Sequence, residues 1–551
     1  MRRSIQVLSA FALAAAMIFA GCGNSASSSG SSSVLTVVPS PAGDFTNNFN
    51  PFLAPPQANY GAFGLVYESL LQINRLNGTI QPWLATQYQF SSDSKTLTFT
   101  LRQGVKWNDG QPFSATDVVF TFNLLKQFPA IDTNAVWKDL VSVTNSDPNT
   151  VVMTFNKPGL TDLWYIAGQT PIVPQHVWSS YPDPSKVTNQ NPVGTGPYKV
   201  GSFTPQVFTY VKNSNYWNVS SIHVDTIRYP AVSSNTSADL VLQTGGLDWA
   251  GVFTTDIQTW AKSNANNHFY WPASNVINLY FNLTKAPYND VAFRQAVSAV
   301  IDRQQLVTQG ESGLDSVANP TELMLPAQQS FLDSQFANAS FGSPSVTQAQ
   351  TILNNAGYKK NSAGQYLDKN GNPIKFQINV VTGWTDWDTD TQIMAQELTQ
   401  LGFQVTPNVI SFNQYISSLQ NGSFDAAISW TNPGPTPYYL FNSLLSSNNT
   451  APIGQNATSN YWRYSNPQAD QLLTQLATSS DSATQQQALN GLESIMVNDI
   501  PVIPLFNGAM FFDYSTARFT GWPTQSNPYA APAPYEQPDL EYVVLNLQPT
   551  N

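Results

Sequence analysis

Hydrophobic residues recur at every second position in some stretches and at every third or fourth in others, and the two periods take turns along the chain. Leu97, Phe99 and Leu101 alternate with polar neighbours, as do Val151, Met153 and Phe155, and later Phe424, Ala426, Ile428 and Trp430. This predicts half-buried strands. Ser114 and Asp117 make a capping box ahead of Val118, Phe122 and Leu125, so a helix begins there. Phe293, Val297, Val300 and Ile301 form one helical face, and Phe412, Tyr415, Ile416 and Leu419 another. Asn466-Pro467 opens a further helix as cap and first-turn proline. Gly357, Gly402 and Gly422 close helices that lead into strands. Interleaving of this kind predicts an α/β fold.

One apolar run stands apart. Arg2 and Arg3 precede Val7 to Ala20, and the run ends in Phe19-Ala20-Gly21-Cys22. The pattern predicts a signal peptide over residues 1–21, because the apolar core is short for a membrane span and a polar low-complexity stretch follows at once. Cys22, the single cysteine, falls where the small-residue cleavage pattern places the first mature residue, and this resembles a bacterial lipoprotein box. Cleavage there leaves Cys22 as the lipid attachment site, with residues 22–33 as a Ser/Gly-rich tether. The expected location is extracytoplasmic, anchored to the cell membrane on its periplasmic or outer face.

The mature chain exceeds what one hydrophobic core usually supports, so at least two domains are expected. Charged residues make up 10% of the sequence, against roughly 25% in ordinary soluble proteins. A net charge of -11 with no basic run argues against nucleic acid as a partner. So few ion pairs also predict a nearly flat stability profile from about pH 7 to about pH 3. Most of the 14 tryptophans are core by default, but so many lead us to expect that some line a ligand cleft.

Catalytic templates are missing: there is no Gly-x-Ser-x-Gly elbow, phosphate loop or His-Glu-x-x-His, and only His176, His223 and His268 could serve a histidine site. No catalytic residue, metal or cofactor is therefore expected. Gly194-Thr195-Gly196-Pro197 reads as a turn. Asp386, Asp388, Asp390 and Glu397 have calcium-loop spacing, but Thr391 replaces the glycine that such a loop needs. Asp390 is read instead as the cap of a helix carrying Met394, Leu398 and Leu401.

Several segments, in order, resemble the bacterial extracellular solute-binding proteins of family 5, the peptide, nickel and oligosaccharide receptors of ATP-binding-cassette (ABC) importers. They are Asn50-Pro51-Phe52, Val66-Tyr67-Glu68-Ser69-Leu70-Leu71 and Pro82-Trp83-Leu84-Ala85, then the run Leu101-Arg102-Gln103-Gly104-Val105-Lys106-Trp107-Asn108-Asp109-Gly110. Val193 to Tyr198, Asn215-Tyr216-Trp217, Phe293 to Ala296, Ile301-Asp302-Arg303 and Asp499-Ile500-Pro501 follow. The resemblance implies a two-lobed type II periplasmic-binding fold with an extra subdomain in the first lobe. By analogy, residues 34–285 plus 505–551 form the first lobe, with the subdomain at about 71–192, and residues 286–504 form the second. It further implies a non-enzymatic, monomeric receptor that closes on a ligand and docks on membrane permease subunits. A sensory binding module is the alternative partner assignment.

Peptide-binding members typically place an aspartate after the Gly/Ser-Trp of the second lobe, whereas this chain reads Ser429-Trp430-Thr431-Asn432-Pro433-Gly434 without an acid. A buried peptide ammonium would lack its counter-charge there. Gly383-Trp384-Thr385-Asp386-Trp387 and Gly434 to Tyr439 look more like the oligosaccharide-binding branch, so a neutral, uncharged ligand, a short oligosaccharide, is expected, with an oligopeptide as the alternative. The expected ligand contacts are Trp384, Trp387, Trp430, Asn432 and Tyr438 from the second lobe, and Phe49, Asn50, Trp249, Tyr280 and Asn282 from the first.

Overall fold

The strand Val34–Val38, Val-Leu-Thr-Val-Val, organises the first sheet: it pairs in parallel with Thr226–Pro230 on one side and with Trp249–Ala250 on the other. The seven-stranded sheet runs Asn267–Phe269, Asp513–Ser515, Trp249–Ala250, Val34–Val38, Thr226–Pro230, Val207–Lys212 and Tyr198–Thr204. This computed structural model describes residues 33–550 apart from 432, 433 and 480. The expected signal peptide, the Cys22 anchor, nearly all of the tether and Asn432 therefore lie outside the described residues.

A second, six-stranded sheet runs Ser316–Val317, Ile503–Ala509, Ala273–Phe281, Ala426–Trp430, Lys375–Val381 and Gln404–Ile410. Each sheet anchors one lobe of an α/β architecture. The chain leaves the first sheet after Phe269 and enters the second at Ala273; it returns between Ala509 and Asp513. Both crossings differ from the expected 285 and 505. The strand Ala273–Phe281 pairs antiparallel with Ala426–Trp430 and with Ile503–Ala509, so all three belong to the second lobe. Periodicity marks a strand without saying which sheet it joins.

A four-stranded antiparallel sheet, Ala85–Phe90, Thr96–Leu101, Thr150–Phe155 and Leu140–Asp147, builds the inserted subdomain of the first lobe. In it Leu97, Phe99, Leu101, Val151, Met153 and Phe155 are buried and pack with the helix Ala115–Gln127. The Ser114 hydroxyl caps that helix, and the Asp117 carboxylate accepts the Ser114 backbone N–H at 3.0 Å. Helices Val291–Val300, Phe412–Asn421 and Pro467–Thr478 coincide with the periodic stretches.

The central strand Ala426–Trp430 departs from its half-buried reading. Ala427 and Ser429 are as buried as Ala426 and Ile428, because cores cover both faces of this sheet. Gly194-Thr195-Gly196 also differs from a plain turn. It lies against the backbone of Leu65 and Val66, where a Cβ at Gly194 would stand 1.9 Å from the Val66 carbonyl oxygen and one at Gly196 would stand 2.5 Å from that of Leu65. Gly196 and Tyr198 donate their N–H groups to Val66 and Leu65 at 2.8 and 2.9 Å.

Candidate functional site

The parallel strand Lys375–Val381 feeds the helix Thr385–Leu401 through Thr382-Gly383-Trp384, and this turn faces the first lobe. Gly383 has a φ of +87°, and a Cβ there would come within 2.6 Å of the Ser233 carbonyl, so glycine permits both the turn and the approach. The Asn235 N–H donates to the Gly383 carbonyl at 3.0 Å and its side-chain amide donates to Asp386 Oδ1 at 3.1 Å. Helix Asn235–Gln243 belongs to the first lobe, so these bonds join the two lobes at the cleft.

The helix starts at Thr385, five residues before the expected cap, so Asp390 sits inside its second turn. Asp386, Asp388 and Asp390 thus stand on one helix instead of winding round a loop. Among the described residues no group of three or more His, Cys, Asp or Glu side chains is arranged to hold a metal ion.

A cavity of about 760 Å³ opens between the lobes, within the size range of small-molecule sites. Trp384, Trp387 and Trp430 line its second-lobe side with ring centroids 5.1 Å apart for 384–387, 5.9 Å for 387–430 and 6.1 Å for 384–430. Trp384 and Trp430 are half-buried, whereas Trp387 is 6% exposed and packs into the second-lobe core. Asn59 and Asn235 from the first lobe, Gln169 from the subdomain and Asn275, Gln420 and Asn442 from the second bring uncharged amides to the same space.

Six other expected contacts have different positions. Phe49 is core, edge-on to Phe208 and Tyr210. Asn50 donates its amide to the carbonyls of Pro184 and Val187. Trp249 is fully buried, with Nε1 on the Pro532 carbonyl at 2.9 Å. Tyr280 donates its hydroxyl to the Trp430 carbonyl at 2.6 Å and packs on Trp462. Asn282 donates to the Gly422 carbonyl at 2.8 Å. Tyr438 packs beside Tyr439, which lines the cavity where Tyr438 does not. Trp249 and Tyr280 lie on strands that are covered on both faces, so alternation sends neither set of side chains into the cleft.

Two acidic residues that sequence reading passed over, Glu311 and Asp315, stand at the second-lobe wall. Glu311 and Asp315 line the cavity beside Asp386, and Asp390 lies behind them. Asp390 fits because Gly310 carries no side chain: a Cβ there would stand 2.0 Å from Asp390 Oδ1. Burial pushes Asp386 up to about 7 and Asp315 up to about 8. Burial first, and the facing Asp390 carboxyl second, raise Glu311 as well. Nothing in the sequence joins position 311 to position 390; only the fold does.

A cleft between two α/β lobes, crossed twice by the chain and lined by tryptophans and amides, defines a ligand-capturing receptor. The family model of the bacterial extracellular solute-binding proteins, family 5, matches residues 79–452, and the chain belongs to that family, whose members are extracytoplasmic substrate-binding receptors of ABC importers. The chain is similar to a mannohexaose-bound periplasmic oligopeptide-binding protein of an ABC transporter from Thermotoga maritima: TM-score 0.88, 29% identity, covering 94% of this chain and 99% of that one. The oligopeptide-binding protein OppA of Bacillus subtilis is 24% identical over 83% of this chain and 85% of its own length. The nickel-binding periplasmic protein of Escherichia coli is 25% identical over 65% of this chain and 68% of its own.

Proposed function

We propose that this receptor captures a short oligosaccharide without anionic groups and delivers it to the membrane permease of its importer. The observation that carries the reading is the cavity's charge. Arg75 is the only Lys or Arg among its described lining residues, and its guanidinium is already ion-paired with Glu536. A peptide's carboxylate would enter a cleft with no free cation, at a cost of several kcal/mol for a buried unpaired charge. A sugar ring needs none: it stacks on indole and satisfies its hydroxyls with amides. The mannohexaose bound by the Thermotoga maritima protein is consistent with this chemistry.

Ligand touching both lobes favours the closed form, so differential affinity drives closure. We further propose that the mature protein is a monomer held at the membrane by a lipid on Cys22, a reading that rests on the Phe19-Ala20-Gly21-Cys22 pattern. Titration of intrinsic fluorescence with manno- and cello-oligosaccharides and with di- to pentapeptides tests the ligand class. Micromolar binding of a peptide with no response to any glycan would overturn it.

A further inference from the structure

The described residues that line the cavity include six carboxyl side chains and one guanidinium, that of Arg75. Three of the six are engaged away from the ligand space: Glu536 holds Arg75, Asp539 accepts the Ala531 N–H, and Asp132 accepts the N–H groups of Val136 and Trp137. The other three, Glu311, Asp315 and Asp386, gather on the second-lobe wall with Asp390 at their back. Among the described residues no Lys, Arg or His forms an ion pair with any of these four.

Glu311 is only 2% exposed and lines the cavity, yet its Oε1 has no hydrogen-bond partner; Asp315 Oδ2 is buried and equally unpartnered. A native interior seldom leaves such atoms unanswered. Asp386 lies between two indoles in sequence, Trp384 and Trp387, and both line the same cavity. Carboxyl groups and indoles lining one cavity make a setting that attracts a cation.

We propose that Glu311, Asp315 and Asp386 form a subsite for a primary ammonium group carried by the ligand. An ammonium has three donors and no acceptor, which suits carboxyl groups on one cavity wall that no cation answers among the described residues. The arrangement does not suit a metal ion, as no group of three or more ligating side chains closes on a common point among the described residues. Without a cation, burial and mutual repulsion keep protons on the cluster; an arriving ammonium displaces them to solvent. Two ligand chemistries supply this group, an amino sugar and a peptide amino terminus. The unavailable Arg75 favours the amino sugar, and to that extent the inference rests on the oligosaccharide reading.

Calorimetry with two matched pairs tests it. Cellotetraose and the β-1,4-linked glucosamine tetramer differ only by hydroxyl against ammonium at C2; tetra-alanine is compared with its N-acetylated form. The expected result is that the amine member of the sugar pair binds at least about tenfold more tightly, the size of one hydrogen bond to a charged group. Its binding should release protons, read as a difference in heat between two buffers of unlike ionisation enthalpy. In Glu311→Gln and Asp315→Asn the preference should fall toward one; should either variant fail to fold, proton release by the wild-type protein decides. Cellotetraose binding without any amine advantage would overturn the subsite and leave the oligosaccharide reading standing. An amine advantage in the alanine pair alone would do the reverse. Failure of all four to bind would remove both.

Discussion

The Asn235 side-chain amide donates to Asp386 Oδ1 across 3.1 Å, linking a first-lobe helix to the first turn of the helix that carries the tryptophan wall. The bond exists only when the lobes are together. Asn235→Ala should therefore weaken ligand binding roughly three- to tenfold, the worth of about one hydrogen bond. Its melting temperature should barely change, because the backbone bond from Asn235 to Gly383 remains. Fluorescence titration and thermal unfolding, run side by side, check both halves.

The three cavity tryptophans should respond differently to truncation. Trp384 and Trp430 are half-buried at the cavity, so replacement by alanine should cost oligosaccharide affinity on the order of 1–3 kcal/mol. Trp387 is 6% exposed within the second-lobe core, so Trp387→Ala should also cost about 3–5 kcal/mol of stability through the hole it leaves. Denaturant midpoints separate the two classes.

Gly196→Ala should destabilise the first lobe by more than about 3 kcal/mol, since its methyl would meet backbone atoms of Leu65 and Val66 that no rotamer change can move. The same substitution at Gly104 has open space around the added carbon and meets only the strain of a φ of +77°, so its loss should be the smaller one. Urea unfolding of both variants tests the contrast.

Stability should rise as the medium is acidified from about pH 8 to about pH 5. Burial raises Asp315, Glu322 and Asp513 to about 8, and Glu68, Asp386 and Asp539 to about 7. An unfolded carboxyl titrates near 4. Between these limits the folded protein holds protons that the unfolded chain has released, so the stabilisation is complete below about 4 and lost as pH climbs through 7 and 8. Surface carboxylates such as Asp93 and Asp225, held low by hydrogen bonds from Ser91 and Lys212, act in the opposite sense below about pH 4. The flat profile expected from sparse ion pairs left out the buried acids. A melting temperature that falls between pH 8 and pH 5 would contradict this account.

Cys22→Ala should abolish partition into detergent when the full chain is made in a lipidating host. Recovery of wild-type mature protein as a soluble species starting beyond Cys22 would remove the anchor.

Local order settled much of what the sequence alone determined. The Ser114 cap, the Pro467 start and the glycines at 402 and 422 punctuate helices through contacts within a few residues, so they are visible without a fold. The family motifs were legible too, and several prove to be scaffold. Arg294 donates to the carbonyls of Tyr288, Asp499 and Ile500, and Arg303 to those of Ser298 and Pro504, so these side chains tie loops together away from the cleft. Which tryptophan faces ligand was a different matter. Trp249 and Trp384 look alike as residues, but one sits where first-lobe strands and the Pro532 segment close over it and the other at the mouth of a strand-to-helix turn. Only tertiary structure decided that, along with the meeting of Glu311 with Asp390, because burial and charge proximity depend on segments distant in sequence coming together.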